Sequence, residues 1–371
     1  MQFCYFHLMP YTGKTSVTED WPVANKHFDP ALGKKLFDVY IDSMVAAERG
    51  GFDWLGCNEH HMSPYGLMAN PNIVAGALTH RTTTAKIAVL GSLVPILNPL
   101  RVAEEFAMLD VMSGGRVVAG LLRGIPHEYV AYNEPPDESY GRLNEAIELI
   151  KKAWTEPEPF GWEGEHYRYR AVSIWPKPMQ KPHPRIVMSG NSLYSARLAA
   201  RHRAVLGLAT VISAKQTKDT IATYREEAKA WGWTPTRDDL LVGIPLSIDR
   251  DAERAKERLA AGRRYFAEVL GGGIRTAQRI ILQKTRYNDT SVKTFIAADA
   301  AARQTIDDLI EQGIVLCGTP AMVADQFKRF AKEFGHGITI INLKVGNIPD
   351  EAVNEGIGLF SREVLPHIRD L

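Results

Sequence analysis

The sequence predicts an α/β fold, a single (β/α)8 TIM barrel with insertions that occupies residues 1–371 as one domain. Eight short β-rich runs recur along the chain and alternate with longer stretches of helical periodicity, which is the element order of such a barrel. The 371 residues exceed the roughly 250 that a barrel of this type uses, so long insertions fit. A doubly wound sheet would show a similar alternation, but it wants a glycine-rich phosphate turn after its first strand. Met9-Pro10-Tyr11-Thr12-Gly13 is not one.

The elements follow in order. A strand is expected over Gln2 to Leu8, then a helix over Ala31 to Arg49, where Leu32, Leu36, Ile41 and Val45 keep an imperfect 3.6 period and Gly50-Gly51 gives the stop. The apolar run Phe52 to Cys57 is the second strand, Asn72 to Arg81 its helix, Lys86 to Val94 the third strand and Val102 to Met112 the next helix. Strand Arg116 to Leu122 and helix Asp137 to Trp154 come next, then Arg185 to Ser189 with Ser192 to His202, and Ala204 to Ala209 with Gln216 to Trp231. Leu240 to Ile248 is the seventh strand and Ile338 to Leu343 the eighth, with helices over Ala252 to Phe266, over Ala321 to Phe334 and from Asp350 onward. Two stretches interrupt the alternation. Residues 156–184 are rich in proline, aromatic and charged residues and read as a hairpin or arm beside the barrel; residues 271–302, entered through Gly271-Gly272-Gly273, show no clear strand and read as a mobile lid.

The bulk composition excludes several function classes. Forty-four basic against forty-three acidic residues leave a net charge of +1 with the signs interspersed, so neither nucleic acid nor an anionic membrane surface is an expected partner. Cys4, Cys57 and Cys317 lie far apart in or beside apolar segments and read as buried thiols of a reducing compartment. The start MQFCYFHLMP has no basic region or cleavage site, and no run approaches the roughly 20 apolar residues of a membrane helix, so a cytoplasmic protein is expected.

Barrels of this kind gather their chemistry at the carboxyl ends of the strands, and there the chain is rich in candidates. Strand five gives way to Ser189-Gly190-Asn191-Ser192 and a helix carrying Ser195, so unpaired N–H groups, a helix dipole and hydroxyls converge as a phosphate site; taken alone, such a helix start more often makes Asn191 or Ser192 a plain N-cap. Arg123 ends the apolar fourth strand, either to clamp a phosphate with two hydrogen bonds or to pair with Glu59 or another carboxylate at the same rim. Asn58-Glu59-His60-His61 follows the second strand, and the imidazole that faces the pocket is a natural general base near neutrality. His7, Glu59 and His60 or His61 would make a metal triad if they converged. There is no HxH on a strand and no later His/Asp set to complete it, so no metal is expected. Phe6, Tyr65 and Trp175 hint at an apolar or aromatic small-molecule substrate, though such residues also pack cores.

Glu48 to Gly124, through ERGGFDWLGCNEHHMSPYGLMANPNIVAGAL and VPILNPLRVAEEFAMLDVMSGGRVVAGLLRG, resembles bacterial luciferase and the wider luciferase-like flavin-dependent monooxygenases. WPKPMQKPHPRIVMSGNSLYSARLAARH and Gly318-Thr319-Pro320 carry the resemblance onward. It implies a barrel that binds reduced FMN (FMNH2) from a separate flavin reductase and uses O2, through a flavin hydroperoxide, to oxygenate a small organic molecule. His60 becomes the base beside the flavin, with Glu59 and His61 in support. Arg123, Ser192 and Ser195, with backbone near Asn191, would hold the FMN phosphate, while Leu90, Gly91 and Ser92 on strand three would lie against the isoalloxazine ring. A homodimer through the helices after strands two and three is also implied. Leu122 stands where the luciferase α chain has a cysteine before its Arg-Gly pair, so light emission from a long-chain aldehyde is not implied. Hydride transfer with a deazaflavin or nicotinamide, and a non-catalytic flavin-binding subunit, are the alternatives.

Overall fold

The computed structural model describes residues 1–12, 21–190, 192–282 and 304–371. In chain order its elements are β1 (Gln2–Phe6), α1 (Pro30–Arg49), β2 (Trp54–Cys57), α2 (Pro71–Arg81), β3 (Lys86–Leu93), α3 (Pro99–Met112), β4 (Val117–Leu122), α4 (Pro126–Tyr132) and α5 (Ser139–Thr155). The hairpin strands β5 (Phe160–Glu163) and β6 (Arg168–Val172) follow, then β7 (Arg185–Ser189), α6 (Leu193–Arg201), β8 (Val205–Leu208), α7 (Ala214–Ala230) and β9 (Leu240–Ile248). The last are α8 (Ala252–Leu282), α9 (Ile306–Glu311), β10 (Leu316–Gly318), α10 (Pro320–Phe334), β11 (Ile338–Asn342) and α11 (Asp350–Leu359).

Eight strands pair in parallel in the order β9-β11-β1-β2-β3-β4-β7-β8, and β8 pairs back onto β9, closing the (β/α)8 barrel that the alternation predicts. All eight expected strands are present. A further short strand was not foreseen: β10 continues the ladder along the far end of β9, with Leu316 to Gly318 opposite Leu246 to Ile248. Side-chain alternation divides the core in two. Along β1, Phe3 and Tyr5 pack outward under the helices, whereas Cys4 and Phe6 join Trp54, Leu90, Val118 and Ile340 in the cluster inside the barrel.

Several helices begin earlier than apolar periodicity places them, because Asp29-Pro30, Asn70-Pro71, Asn98-Pro99 and Thr319-Pro320 each supply a capping side chain and a proline in the first turn. Asn98 shows the mechanism: its side-chain oxygen accepts from the N–H groups of Leu100 at 3.0 Å and Arg101 at 3.2 Å. Within residues 156–184 the chain forms the antiparallel pair β5–β6. Glu145 of α5 ties the hairpin down, accepting from Trp162 Nε1 at 2.9 Å and from the N–H groups of His166 and Tyr167 at 2.8 and 3.0 Å. The stretch expected as a lid starts differently. Gly271-Gly272-Gly273 do not open a loop; α8 runs through them to Leu282, and residues 283–303 lie outside the described residues.

Candidate active site at the barrel mouth

One side of the mouth gathers hydrogen-bond donors. Ser192 caps α6, its hydroxyl oxygen accepting from the Ser195 N–H at 3.1 Å, and the two serine hydroxyls lie 2.8 Å apart. Tyr140, on the first turn of α5, brings its hydroxyl to 3.2 Å from each of them. The Arg123 guanidinium lies over the same tyrosine ring, 4.2 Å from its centroid, while the Arg123 carbonyl accepts from the Tyr129 hydroxyl. A helix N-terminus, three hydroxyls and a guanidinium thus come together, the donor set that suits a phosphate monoester. Arg123, Ser192 and Ser195 are therefore neighbours; Asn191 lies outside the described residues.

The other side is built from His60 and His61, which leave β2 after Cys57 and turn to different carboxylates. His61 is buried and donates from Nε2 to Glu59 Oε1 at 2.8 Å while its Nδ1 accepts from the Tyr132 hydroxyl at 3.1 Å. The second oxygen of Glu59 accepts the Leu93 N–H at 3.1 Å, so this carboxylate joins the histidine pair to the end of β3. His60 Nδ1 lies 3.1 Å from Glu128 Oε1, within hydrogen-bond distance, and the ring packs against the Tyr65 ring edge to face, centroids 4.7 Å apart. Glu128, on α4, is fully buried, and His127 Nε2 lies 3.1 Å from the same oxygen but off the hydrogen-bond line. Burial pushes the Glu128 carboxyl up, yet the His127 and His60 imidazoles outweigh it and hold it at about 2.

Between the two sides runs the wall of β3. Leu90 is buried in the interior cluster, the Leu90–Gly91 peptide is cis, and pairing with β4 shifts register between Val89 and Ser92. Gly91 and Gly120 face each other so closely that a Cβ on the first would meet the Gly120 carbonyl oxygen at 2.4 Å, and one on the second would meet the Val89 oxygen at 2.1 Å. Only glycine at both positions lets the strands meet this way. Ser92 is buried against β4.

The metal triad already set aside does not form, and one expectation is corrected. His7 cannot join a metal triad with Glu59 and His60, because it follows Phe3 and Tyr5 on the outward face of the barrel wall and packs on Tyr40 of α1, rings 4.5 Å apart. Burial pushes its imidazole well below its usual range. Trp175 does not face the pocket: it is 88% exposed beside the cis Trp175–Pro176 bond, whereas Phe6 and Tyr65 are in the interior cluster. Donor atoms of His60, His127 and Glu128 do lie within 4.8 Å of one another, a grouping that sequence reading missed along with Tyr140. The signal for the first was Pro126-His127-Glu128, separated from Arg123-Gly124 by Ile125 alone. Tyr140 sits on a helix, and no local pattern marks it.

The barrel mouth thus sets a donor cluster that suits a phosphate beside an imidazole facing a buried carboxylate. Residues 23–336 match the model of the luciferase-like monooxygenase family, and the chain belongs to that family. The FMNH2-dependent dimethylsulfone monooxygenase of Pseudomonas putida is 31% identical over 340 residues, covering 88% of this chain and 86% of that protein. Several other curated relatives, alkanal monooxygenase alpha chains among them, are matched over only 51% to 59% of their own length. The monooxygenase RslO1 from Streptomyces bottropensis superposes with a TM-score of 0.76 at 25% identity, covering 99% of both chains. An F420-dependent secondary alcohol dehydrogenase shares the fold, with a TM-score of 0.71 at 21% identity, over 100% of this chain and 99% of that one.

Proposed function

We propose that the protein is a two-component FMN-dependent monooxygenase, taking FMNH2 from a separate flavin reductase and using O2 to oxygenate a small organic substrate. The observation that carries this reading is the cradle of Arg123, Tyr140, Ser192 and Ser195, which fits the phosphate of a flavin mononucleotide. Bound FMNH2 would supply the two electrons that activate O2. The chain's own residues bind, orient and handle protons. Arg123 and the hydroxyls neutralise and fix the phosphate; Glu59, through the Leu93 N–H, holds the segment Leu90, Gly91 and Ser92 in place as a wall for the ring. His60 gives and takes a proton beside it, with Glu59 and His61 as support. Tyr65 and Phe266, edge to face at 5.2 Å, present an apolar surface near His60 that keeps water away from the reacting atoms.

A homodimer across α2 and α3 belongs to the same reading, because Ile73, Met108, Val111 and Met112 are exposed apolar residues on those two helices. The three cysteines are free and buried, which agrees with a cytoplasmic setting, and among the described residues no helix is long and apolar enough to cross a membrane.

The alternative is hydride transfer from a reduced deazaflavin, favoured by the fold shared with the F420-dependent dehydrogenase. Anaerobic titration separates them: FMNH2 is expected to bind one per chain and more tightly than reduced F420, and the reverse preference sinks the proposal. With dimethyl sulfone and a straight-chain alkanal as probe substrates, a generic flavin reductase and 18O2, one labelled atom is expected in the product. Product formed without label would assign the protein to hydride transfer.

A further inference from the structure

We propose that Glu128 is the positioning residue for His60: its carboxylate fixes the imidazole as the Nδ1–H tautomer and keeps Nε2 as the basic nitrogen. The inference rests on the reading of His60 as the proton-handling group of the flavin site. Glu59 is the adjacent carboxylate and the obvious partner by sequence. Its two oxygens are already engaged, one by His61 Nε2 at 2.8 Å and the other by the Leu93 N–H at 3.1 Å. The partner His60 has instead comes from α4, 68 positions further along the chain, where Glu128 Oε1 lies 3.1 Å from Nδ1.

An ionised carboxylate only accepts hydrogen bonds, so the nitrogen facing it must carry the hydrogen, and a neutral imidazole then has its lone pair on the other nitrogen. Glu128 stays ionised near neutrality because His127 and His60 hold its carboxyl at about 2 against the upward push of burial. The surroundings keep the three groups in register. His60 and His127 stack at 6.3 Å with 24° between their planes, Tyr65 closes on His60 at 4.7 Å, and the Trp21 ring meets His127 edge to face at 5.6 Å. Trp21 rests in turn on Gly273 of α8, where a Cβ would come within 3.1 Å of its ring. The groups around His60 are thus Glu128, His127 and Tyr65, with His61 Nε2 3.9 Å from the other oxygen of Glu128. His60 alone of the two consecutive histidines keeps part of its side chain open, 16% against 6% for His61. This is the logic by which a buried carboxylate sets the tautomer of a catalytic histidine in hydrolases.

The test reads the tautomer directly. In protein labelled with 15N-histidine, long-range 15N–1H spectra are expected to show His60 as Nδ1–H, its signals assigned by their loss in His60→Gln. Glu128→Gln, isosteric and uncharged, is expected to move His60 toward a mixture of tautomers and to lower kcat about 100-fold with KM for FMNH2 within threefold, Glu128→Asp recovering most of the rate. An Nε2–H tautomer in the wild type overturns the proposal, and so does an Nδ1–H signal that persists unchanged in Glu128→Gln. One-to-one binding of Zn2+ to the wild type, abolished in His127→Ala, would also overturn it, because the three side chains would then be cation ligands. If Glu128→Gln does not fold, the wild-type spectrum decides alone. The spectra need neither flavin nor substrate, so failure to bind FMNH2 would remove the functional reading while leaving the tautomer assignment standing.

Discussion

Tyr140 touches both serine hydroxyls and lies under the Arg123 guanidinium, so its loss and that of Arg123 are separable in size. Tyr140→Phe removes one neutral hydroxyl from the cradle and is expected to weaken FMN binding by about 1 kcal/mol, whereas Arg123→Ala removes a charged donor and is expected to cost about 2 to 3 kcal/mol. Riboflavin, which lacks the phosphate, should bind both variants as it binds the wild type. Flavin fluorescence titration checks this, and an equal loss for riboflavin would place the two residues elsewhere than at the phosphate. At this scale, what the sequence revealed followed a physical rule. Arg123 was visible because an otherwise apolar strand ends in a charge, and Ser192 and Ser195 because a strand gives way to a helix through small polar residues. Tyr140 was invisible because it sits on a helix, where a polar residue is unremarkable, and Glu128 showed only through the Pro126-His127-Glu128 run just beyond β4. Only the closure of the barrel brings them to the mouth.

Among the elements, α8 departs most from its sequence pattern. Three consecutive glycines carry a conformational-entropy cost of roughly 0.5 to 1 kcal/mol each relative to alanine, so they read as the end of a helix. Helix continues through them in part because Gly273 receives the Trp21 ring, a contact between segments some 250 positions apart that no window reveals. The positions then differ in a testable way. A Cβ on Gly272 meets nothing within 4 Å, so Gly272→Ala is expected to stabilise the protein by about 0.5 to 1 kcal/mol. Gly273→Ala, which presses a methyl to 3.1 Å from Trp21, should lose that gain or reverse it. Urea unfolding measures both, and equal stabilisation by the two substitutions would show that Trp21 does not constrain the helix. The strands were more legible because a parallel strand buried on both faces is a short apolar run whatever its neighbours. β10 escaped notice because three residues carry too little pattern, and the early helix starts because caps and proline, not apolar period, set the first turn.

Across the whole molecule, buried imidazoles set the response to acid. His202, which pairs through Nε2 with Asn144 Oδ1 at 2.9 Å, caps the end of α6, and His336, with Nε2 2.8 Å from the Thr339 hydroxyl, lies in the loop before β11. Burial first, then neighbouring cations, pushes both from 6.5 down to about 3. In the unfolded chain each takes up its proton near pH 6.5, while in the folded protein it stays neutral until about pH 3. The unfolded state therefore binds more protons in that interval. The stability these groups contribute is complete above pH 6.5 and is lost progressively as pH falls toward 3. By pH 5 the loss is about 2 kcal/mol for each of the two, with His7 acting in the same direction. Glu128 adds a later loss, since its folded carboxyl titrates at about 2 against 4.5 when unfolded, so its contribution fades between those values. Thermal melts from pH 8 to pH 4.5 are thus expected to show Tm nearly level down to pH 6.5 and falling below it. The double variant His202→Gln, His336→Gln should start less stable at pH 8 but decline more gently, because two proton uptakes have been removed from the unfolded state. A double variant that kept the wild-type slope would mean that other groups drive the acid transition.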